Sequence, residues 1–184
     1  RQPIIGDSVL WNNPTAQNKA YERENSIYVG KLKYEKGKVS YVKDGKITRY
    51  TTSDGLPDNY VNDIFVDGED NLWAATDAGV SRLRQGRFQT WMTRDGLSSN
   101  SVRSFSQDQA GNLWIGTNRG LDRFRDGRMT QYVRNEEVPN FNWSHLLAGR
   151  GGALWGGDGS GGLVTVRDGK LTNYPRQEGF PNPV

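Results

Sequence analysis

Short apolar segments recur along the chain at an interval of 41 residues, and a tryptophan marks each of them. Trp73, Trp114 and Trp155 stand in the segments Leu-Trp-Ala-Ala, Leu-Trp-Ile-Gly and Leu-Trp-Gly-Gly. A second apolar segment follows seven or eight residues after each tryptophan. A regular interval of this size is typical of repeat architectures, in which each copy is one supersecondary unit.

Each unit predicts four short strands joined by tight turns. A turn of two or three residues follows the second apolar segment at Gly86, Gly127 and Gly169, and glycine supplies the positive φ that tight hairpin turns require. One more short segment then ends in an aromatic residue, and a further apolar stretch opens the next unit. Strands with such short connections pair as an antiparallel meander.

A lone four-stranded meander cannot bury both of its faces, so the copies must cover one another. The sequence therefore predicts an all-β fold, a β-propeller of about four blades, each blade being one four-stranded antiparallel sheet. The predicted blades span about residues 1–51, 52–92, 93–133 and 134–175, and residues 176–184 resemble a linker toward a further blade. An open β-solenoid is the alternative, although it would need shorter and more uniform coils.

The first unit is the least regular copy. Its Asp44-Gly45-Lys46 turn and Tyr50 fit the repeat, but the segment before them is longer and more polar. We predict the innermost strand of this unit at residues 8–11 and a polar loop at residues 12–25.

The chain has 184 residues with no cysteine and one histidine. Disulfides, cysteine metal sites and thiol nucleophiles are therefore excluded, and little remains for other nucleophilic catalysis or a transition-metal site. We predict a protein that is not an enzyme, with no catalytic residues, no metal site and no cofactor.

The net charge of +3 is mild, and Lys and Arg are interleaved with Asp, so the charge pattern does not indicate nucleic-acid binding. No stretch approaches the roughly 20 apolar residues of a membrane span, and no signal peptide is apparent, so we expect no direct membrane insertion.

The linkers between units carry a motif of their own. Asp54-Gly55-Leu56-Pro57-x-Asn59 recurs as Asp95-Gly96-Leu97-Ser98-x-Asn100, and each copy leads to an Asn-Leu-Trp segment. This pattern resembles the two-component regulator propeller repeat, over roughly residues 44–182. The fourth unit departs from it, because Asn-Glu-Glu-Val-Pro at residues 135–139 replaces Asp-Gly-Leu-Pro.

The resemblance implies the sensor portion of a bacterial histidine kinase or hybrid regulator, located in the periplasm or outside the cell. Propellers of that family commonly have seven blades. We therefore expect this chain to be part of a larger ring, or one half of a homodimeric ring of eight blades, or a closed ring of four.

In a propeller, the linkers between units and the loops between second and third strands open on one face, which we call the linker face. The repeated Asp54 and Asp95 are interpreted as turn residues that accept local backbone hydrogen bonds. Residues specific to one unit are better candidates for ligand contact, because loops vary while the strands hold them. The candidate ligand-binding residues are Trp143, His145, Arg103, Arg119, Asp77, Asp158, Asn59 and Asn100.

Exposed aromatic rings with polar neighbours suit a carbohydrate-like ligand, a small molecule or an oligosaccharide. Two of the candidates have a plainer interpretation, since Trp143 can pack between blades and His145 can be a buried, satisfied side chain. Trp73, Trp114 and Trp155 are predicted to be core residues.

The leading hypothesis is a non-catalytic ligand-sensing or interaction propeller. A structural scaffold for protein partners is the second hypothesis. A propeller lyase resembling the virginiamycin-inactivating type is the third, with His145 as the residue that would discriminate among them.

Overall fold

The computed structural model describes residues 19–23, 26–33, 38–43 and 46–174, and this part of the chain forms four four-stranded sheets. The first two sheets contain β1 (Lys19–Arg23), β2 (Ser26–Lys33), β3 (Lys38–Lys43), β4 (Lys46–Tyr50), β5 (Val61–Val66), β6 (Leu72–Thr76), β7 (Gly79–Arg84) and β8 (Arg87–Trp91). The last two contain β9 (Val102–Gln107), β10 (Leu113–Thr117), β11 (Gly120–Arg125), β12 (Arg128–Arg134), β13 (His145–Ala148), β14 (Leu154–Gly157), β15 (Leu163–Arg167) and β16 (Lys170–Tyr174).

Every sheet is a meander in which each strand pairs antiparallel with its neighbour in sequence. Short strands, tight hairpins and the absence of helices other than 3₁₀ turns in the described part confirm the predicted all-β class. The first strands β5, β9 and β13 of successive sheets lie against one another, as expected for blades arranged around an axis.

Two-residue turns close the outer hairpins. Gln85, Asp126 and Asp168 have φ values of 50°, 49° and 50°, and the glycines that follow them have φ values of 77°, 78° and 74°. Two successive positive φ angles define the type I′ turn, whose twist matches that of the flanking strands.

The first sheet differs from the sequence prediction. Its first strand is β1, Lys19–Arg23, which lies inside the segment expected to be a polar loop. Residues 8–11, predicted to form that strand, lie outside the described residues. Apolar and polar residues do not alternate regularly along Lys19–Arg23, so the sequence pattern does not indicate this strand.

The core lies between the sheets, and alternate residues of each strand face opposite neighbours. In the second sheet, Leu72 and Ala74 face the first sheet, while Trp73 and Ala75 face the third. Phe124 of the third sheet packs on Trp73, with ring centroids 4.9 Å apart. The second and third sheets are thus buried on both faces, which explains why their second strands are continuously apolar.

The linkers are anchored by carboxylates and by one buried apolar residue each. Asp54 Oδ2 accepts a hydrogen bond from Thr51 N at 2.8 Å, and Asp95 Oδ2 accepts one from Met92 N at 2.9 Å. The predicted role of these aspartates as turn residues is therefore confirmed. Each linker then buries an apolar side chain, namely Leu56, Leu97 and Val138.

The fourth unit keeps this anchoring despite its different sequence. Glu137 Oε1 accepts from Arg134 N at 2.9 Å, and Val138 is buried directly after it. The longer glutamate side chain takes the place of the aspartate.

The prediction that all three repeat tryptophans are core residues is wrong for one of them. Trp73 and Trp114 are 1% and 7% exposed, whereas Trp155 is 40% exposed. Trp155 stacks on Tyr174 of its own sheet, with ring centroids 5.9 Å apart, and no other described sheet packs on its ring.

Candidate functional site

The linker face brings two predicted residues together between the second and third sheets. Arg103 Nη1 lies 3.3 Å from Asp77 Oδ1, and the same oxygen accepts hydrogen bonds from Asn62 Nδ2 and Ser101 Oγ at 3.0 and 3.1 Å. Asn62 also donates to the Val102 carbonyl oxygen at 2.8 Å. This cluster ties the two sheets together, and Arg103 Nε is buried with no hydrogen-bond partner among the described residues.

A cleft of about 740 Å³ opens on the same face, at the outer part of the third sheet where the linker to the fourth sheet departs. We call it the linker cleft. The loop between β10 and β11, strand β12 and the linker after it form its walls. Its lining residues are Ser98, Asn118, Arg119, Gln131, Arg134, Asn135, Glu136 and Asn140.

The linker cleft is polar, and its charged groups are available. Two guanidinium groups, of Arg119 and Arg134, and one carboxylate, of Glu136, line it together with four side-chain amides. Within the described residues, no hydrogen bond or ion pair engages the two guanidinium groups or this carboxylate. The site therefore offers a surplus of one positive charge and several amide donors and acceptors.

A buried acid lies beneath the cleft. Asp122 Oδ2 accepts hydrogen bonds from Ser98 N at 3.0 Å and from Ser98 Oγ at 2.7 Å, and Ser98 lines the cleft. Burial raises the pKa of Asp122 to about 6, against which the two hydrogen bonds from Ser98 act only in part. Asp122 Oδ1 is buried and accepts no hydrogen bond in the part of the chain that the structure describes.

The hydroxyl groups around Asp122 explain why the neutral acid fits well there. Ser98 Oγ is also 2.8 Å from Thr117 Oγ1, which in turn donates to the Gly120 carbonyl oxygen at 3.0 Å. Three oxygen–oxygen contacts therefore run in a chain from Asp122 Oδ2 through the two hydroxyl groups to the Gly120 carbonyl oxygen. When Asp122 is ionised, only the two hydroxyl protons of Ser98 and Thr117 are available for these three contacts. Protonation of Asp122 supplies the third proton, so that all three contacts become hydrogen bonds.

The expectation of an exposed aromatic ring at Trp143 is wrong. Trp143 is 1% exposed and packs on Phe141, with centroids 4.9 Å apart, between the third and fourth sheets. The space for the indole ring exists because Gly156 lacks a side chain: an added Cβ would lie 2.5 Å from the ring. The interpretation of Trp143 as a packing residue between blades is the correct one.

The remaining candidates lie apart from the linker cleft. His145 is exposed at the start of β13, so it is not the buried histidine of the plainer interpretation. Asn100 accepts a hydrogen bond from Thr93 N at 2.8 Å within its linker, and Asn59 is exposed. Asp158 accepts hydrogen bonds from Ser160 and Gly162 within its own loop. A ligand-binding role for these residues stays a prediction.

A second repeated aspartate holds the tryptophan of its sheet. Asp108 Oδ2 accepts from Trp114 Nε1 at 2.9 Å, and Asp67 does the same for Trp73 at 2.7 Å. Burial favours the neutral form of Asp108, but hydrogen bonds from Asn112, Trp114 and Ala110 outweigh it and lower its pKa. These carboxylates are structural, because their oxygens are occupied by local donors.

Comparison with protein families identifies the repeat. The family described as "Two component regulator propeller" matches residues 55–78 and 96–119, which run from the linker glycine to the loop after the second strand. These segments are two component regulator propeller repeats. No curated protein sequence matches the chain significantly.

Solved structures show the same fold as the propeller repeats of this chain at low sequence identity. The extracellular domain of BT3049 from B. thetaiotaomicron, which is assigned to the hybrid two component systems, superposes with a TM-score of 0.65 at 19% identity. The match covers 81% of this chain and 21% of that domain.

Two similar structures are enzymes. A catalytically inactive variant of virginiamycin B lyase from Staphylococcus aureus, with quinupristin, matches with a TM-score of 0.66 and 17% identity over 94% of this chain and 60% of the lyase. A gluconolactonase from Xanthomonas campestris matches with a TM-score of 0.60 and 16% identity over 89% and 62% of the two chains. At these identities the matches show the fold, and the chain spans less than two thirds of each.

Some residues that line the linker cleft lie in a matched repeat, and the others lie in β12 and the fourth linker, outside the matched segments. Arg119, the one predicted residue in the cleft, lies in a loop inside the second matched segment. Sequence reasoning missed Arg134, Asn135, Glu136 and Asn140. The available signal was the replacement of Asp-Gly-Leu-Pro in the fourth linker by Asn-Glu-Glu-Val-Pro, which has no turn glycine.

Metal-binding clusters and membrane-spanning helices are both absent from the described residues. No group of three or more His, Asp or Glu side chains there could hold a metal ion. No helix in this part of the chain is long and apolar enough to cross a membrane.

Proposed function

We propose that this chain is a non-catalytic sensing propeller that recognises a ligand at the linker cleft. The observation that carries the proposal is the combination of Arg119, Arg134 and Glu136, all without partners among the described residues, in one cleft of about 740 Å³. Ligand sites are concave and hold a few convergent polar groups, and repeat propellers carry such sites on the loops of one face.

The chemistry of the lining favours an acidic, polyhydroxylated ligand. Guanidinium groups bind carboxylates in a bidentate fashion, and amides and Glu136 can hydrogen-bond hydroxyl groups. No aromatic ring lines the cleft, so ring stacking on a sugar face does not contribute. An acidic carbohydrate, with a carboxylate and several hydroxyl groups on one ring, fits this set of donors and acceptors.

The sensing role is supported by the repeat family and by the BT3049 domain, which is extracellular. We therefore also place this chain in the periplasm or outside the cell. Ligand binding between the third and fourth sheets would alter how the linker at residues 134–140 sits between them. That linker is the covalent connection through which a change in one sheet reaches the next.

Binding is favoured over catalysis by what lines the cleft. The lining residues include one carboxylate and no histidine, tyrosine or lysine. General acid–base chemistry on a sugar ordinarily needs two carboxyl groups or an equivalent pair. A lyase or lactonase activity, as in two of the similar folds, would need residues that the cleft does not present.

The test compares a charged probe with its uncharged counterpart. Galacturonate and galactose are titrated separately into ¹⁵N-labelled protein, and amide chemical shifts are followed. We expect galacturonate to shift the amides of residues 118–119 and 134–140, with galactose at least tenfold weaker. The double variant Arg119→Ala/Arg134→Ala should lose this response.

Arg87→Ala is the control, because Arg87 is likewise an exposed arginine, on an outer hairpin of another sheet. It should bind as the unaltered chain does. Equal responses to the two sugars would contradict the acidic specificity. Binding that survives the double variant, or shifts confined to other residues, would contradict the linker cleft as the site.

A further inference from the structure

Two residues beneath the linker cleft depart from the repeat together. Ser98 lies in the linker to the third sheet, at the position where the linkers to the second and fourth sheets have proline. Asp122 lies in β11, at the position where β7 has Ser81 and β15 has Val164. Proline has no N–H, so of these three linkers only the one with Ser98 can donate both a backbone N–H and a hydroxyl to a carboxylate. The contact of a buried acid with the wall of the cleft is therefore specific to the unit that carries the cleft.

Within the described residues, no group balances a negative charge on Asp122. Asp122 is 0% exposed, its Oδ2 accepts both hydrogen bonds from Ser98, and its Oδ1 has no hydrogen-bond partner there. Ser81, at the same position of the second sheet, is satisfied by its cross-strand partner Thr90, with the two hydroxyl oxygens 2.7 Å apart. The cross-strand partner of Asp122 is Gln131, which lines the cleft and makes no hydrogen bond with the carboxyl group. A neutral acid fits this setting, whereas an ionised carboxylate leaves one buried oxygen without compensation.

The side chains around Asp122 carry no charge. The linker to the third sheet, β10 and β12 contribute Ser98, Thr117 and Gln131. Burial raises the pKa of Asp122 and the hydrogen bonds from Ser98 oppose this in part, with no contribution from a charged side chain. Other charged residues of the same linker and of β11 are engaged elsewhere, namely Arg94 with Asp95 at 3.7 Å and Arg123 over the Tyr132 ring.

The unpartnered charges of the cleft lie only a few positions from Asp122 in the β11–β12 ladder. Arg134 stands opposite Gly120, two residues before Asp122, and Arg119 directly precedes Gly120. Glu136 follows in the linker to the fourth sheet. Arg119 and Arg134 are therefore the cations available either to a ligand or to Asp122.

We propose that a proton on Asp122 controls ligand binding at the linker cleft, because the ionised Asp122 carboxylate and an acidic ligand compete for the same two guanidinium groups. This inference rests on the proposed function. With Asp122 neutral, Arg119 and Arg134 are both available to the ligand carboxylate. With Asp122 ionised, its uncompensated charge attracts one of them in a poorly solvated site, where opposite charges attract more strongly than in water. The proton and the ligand therefore favour each other's binding.

The expected direction follows from the two carboxyl groups. A sugar carboxyl has a pKa of roughly 3.5, like an α-carboxyl group, so the ligand stays ionised above about pH 5. Asp122, with a pKa of about 6, loses its proton as the pH rises from 5 to 7.5. Affinity for the ligand should therefore fall over this range. By linkage, the ligand raises the pKa of Asp122 through the same coupling by which the proton raises ligand affinity.

Titration of galacturonate into ¹⁵N-labelled protein at pH 5 and pH 7.5 tests the proposal. We expect the dissociation constant of the unaltered chain to be at least roughly threefold lower at pH 5. Asp122→Asn keeps an acceptor for Ser98 and carries no charge. The variant should bind equally well at both pH values, with the affinity that the unaltered chain has at pH 5.

Two control variants separate Asp122 from the other groups that could titrate in this range. His145 is the single histidine of the chain and is exposed outside the cleft, so His145→Gln should keep the full pH dependence. Glu136→Gln alters the cleft itself, so its ratio of dissociation constants at the two pH values is compared rather than its affinity. That ratio should equal the ratio of the unaltered chain.

A second measurement needs no substitution at Asp122. The carboxyl carbon resonance of Asp122 is followed against pH in the unaltered chain, with and without saturating galacturonate. We expect the ligand to move the titration midpoint of Asp122 to higher pH. The carboxyl carbon of Asp126, in an exposed hairpin outside the cleft, is the internal reference and should behave alike in both samples. Near-ultraviolet circular dichroism establishes that each variant is folded.

The possible results distinguish this inference from the proposed function. Absence of galacturonate binding at both pH values would overturn the cleft as a ligand site and the proton linkage with it. Binding with equal affinity at both pH values would overturn the linkage alone, as would a pH dependence that Asp122→Asn retains or that Glu136→Gln or His145→Gln abolishes. If Asp122→Asn does not fold, a midpoint of Asp122 that bound ligand leaves unmoved would overturn it instead.

Discussion

The second and fourth sheets have a tryptophan at the same position of the repeat, but the first of these tryptophans is buried and the other is exposed. Trp73 is 1% exposed, accepts Phe124 on its ring and donates its indole N–H to Asp67 at 2.7 Å. Trp155 is exposed, and the residue six positions before it is Gly149 rather than aspartate. The position in the repeat sets the direction of the side chain, while the next sheet and the carboxylate decide its environment.

The second and fourth sheets also differ in whether an arginine side chain lies over the tryptophan ring. Arg82 lies over the rings of Trp73, Trp91 and Phe124 at 5.3 to 5.6 Å, and the corresponding residue of the fourth sheet is Thr165. A guanidinium between aromatic rings adds a cation–π contribution of about 0.5–2 kcal/mol. The fourth sheet lacks this cation–π contribution, and no described sheet packs over its tryptophan.

The largest expected effect compares truncation of the two tryptophans. Trp73→Ala should lower the apparent free energy of unfolding by about 3–5 kcal/mol, because it opens a cavity among Trp91, Phe105 and Phe124. Trp155→Ala should lower it by less than about 1 kcal/mol, because the Trp155 side chain is already 40% exposed. Urea unfolding followed by circular dichroism measures both, and equal losses would contradict the comparison.

The next prediction concerns a pair of core positions at which the sizes of the two side chains differ between the two interfaces of the third sheet. Val102 and Ile115 share the core between the second and third sheets, whereas Trp143 and Gly156 hold the same positions between the third and fourth. Trp143→Val should cost about 2–4 kcal/mol by leaving a cavity, and Gly156→Ile should cost a similar amount by overpacking.

The double variant Trp143→Val/Gly156→Ile recreates the pair of the neighbouring interface. It should be more stable than the sum of the two losses predicts, with a coupling of about 1–3 kcal/mol in a double-mutant cycle. Additive losses would show that the two positions do not share one space.

A smaller effect depends on pH. The pKa of Asp122 is about 6 in the folded chain and 3.8 when unperturbed, so the unfolded chain loses this proton first as pH rises. The contribution of Asp122 to stability therefore falls between about pH 4 and pH 6 and stays low above it, a change of roughly 2–3 kcal/mol.

Asp122→Asn is isosteric and does not titrate, so it is the reference for this effect. Unfolding free energies of both proteins at pH 4, 5, 6 and 7 give the difference directly. We expect the unaltered chain to lose stability relative to the variant across this range. A difference independent of pH would mean that Asp122 titrates alike in the folded and unfolded chains.

The smallest expected effect rebuilds the missing anchor in the fourth sheet. Gly149→Asp places a carboxylate at the position of Asp67 and Asp108, within reach of Trp155 Nε1. Stability should change by less than about 1 kcal/mol, because one exposed hydrogen bond is gained and the new Cβ would lie 3.2 Å from the Ala153 carbonyl oxygen. The measurement is the Trp155 indole proton resonance, which should move downfield as in a hydrogen-bonded indole.

Several features could be predicted from the sequence because they depend on contacts close along the chain. The period of 41 residues, the tight turns at Asp126 and Asp168, and the linker aspartates Asp54 and Asp95 are local in origin. The linker face followed from strand order alone. The first strand of the first sheet was missed, because Lys19–Arg23 carries no clear alternation of apolar and polar residues.

The candidate site was predictable in part, for the same reason. Arg119 was found because its loop position follows from the repeat. The linker cleft also needs Gln131, Arg134 and Asn140, which three-dimensional folding brings to that loop from β12 and the fourth linker. Nothing in their spacing indicates that they share a cavity.

The sequence by itself determined the four-stranded unit, its turns and the side of each strand on which a residue lies. Those properties follow from backbone geometry and from an alternation with a period of two residues. Only the tertiary structure decided that Trp143 is buried, that Trp155 is exposed and that Asp122 holds its proton more tightly. Burial depends on which sheet lies opposite, and that neighbour lies about 40 residues away in the chain.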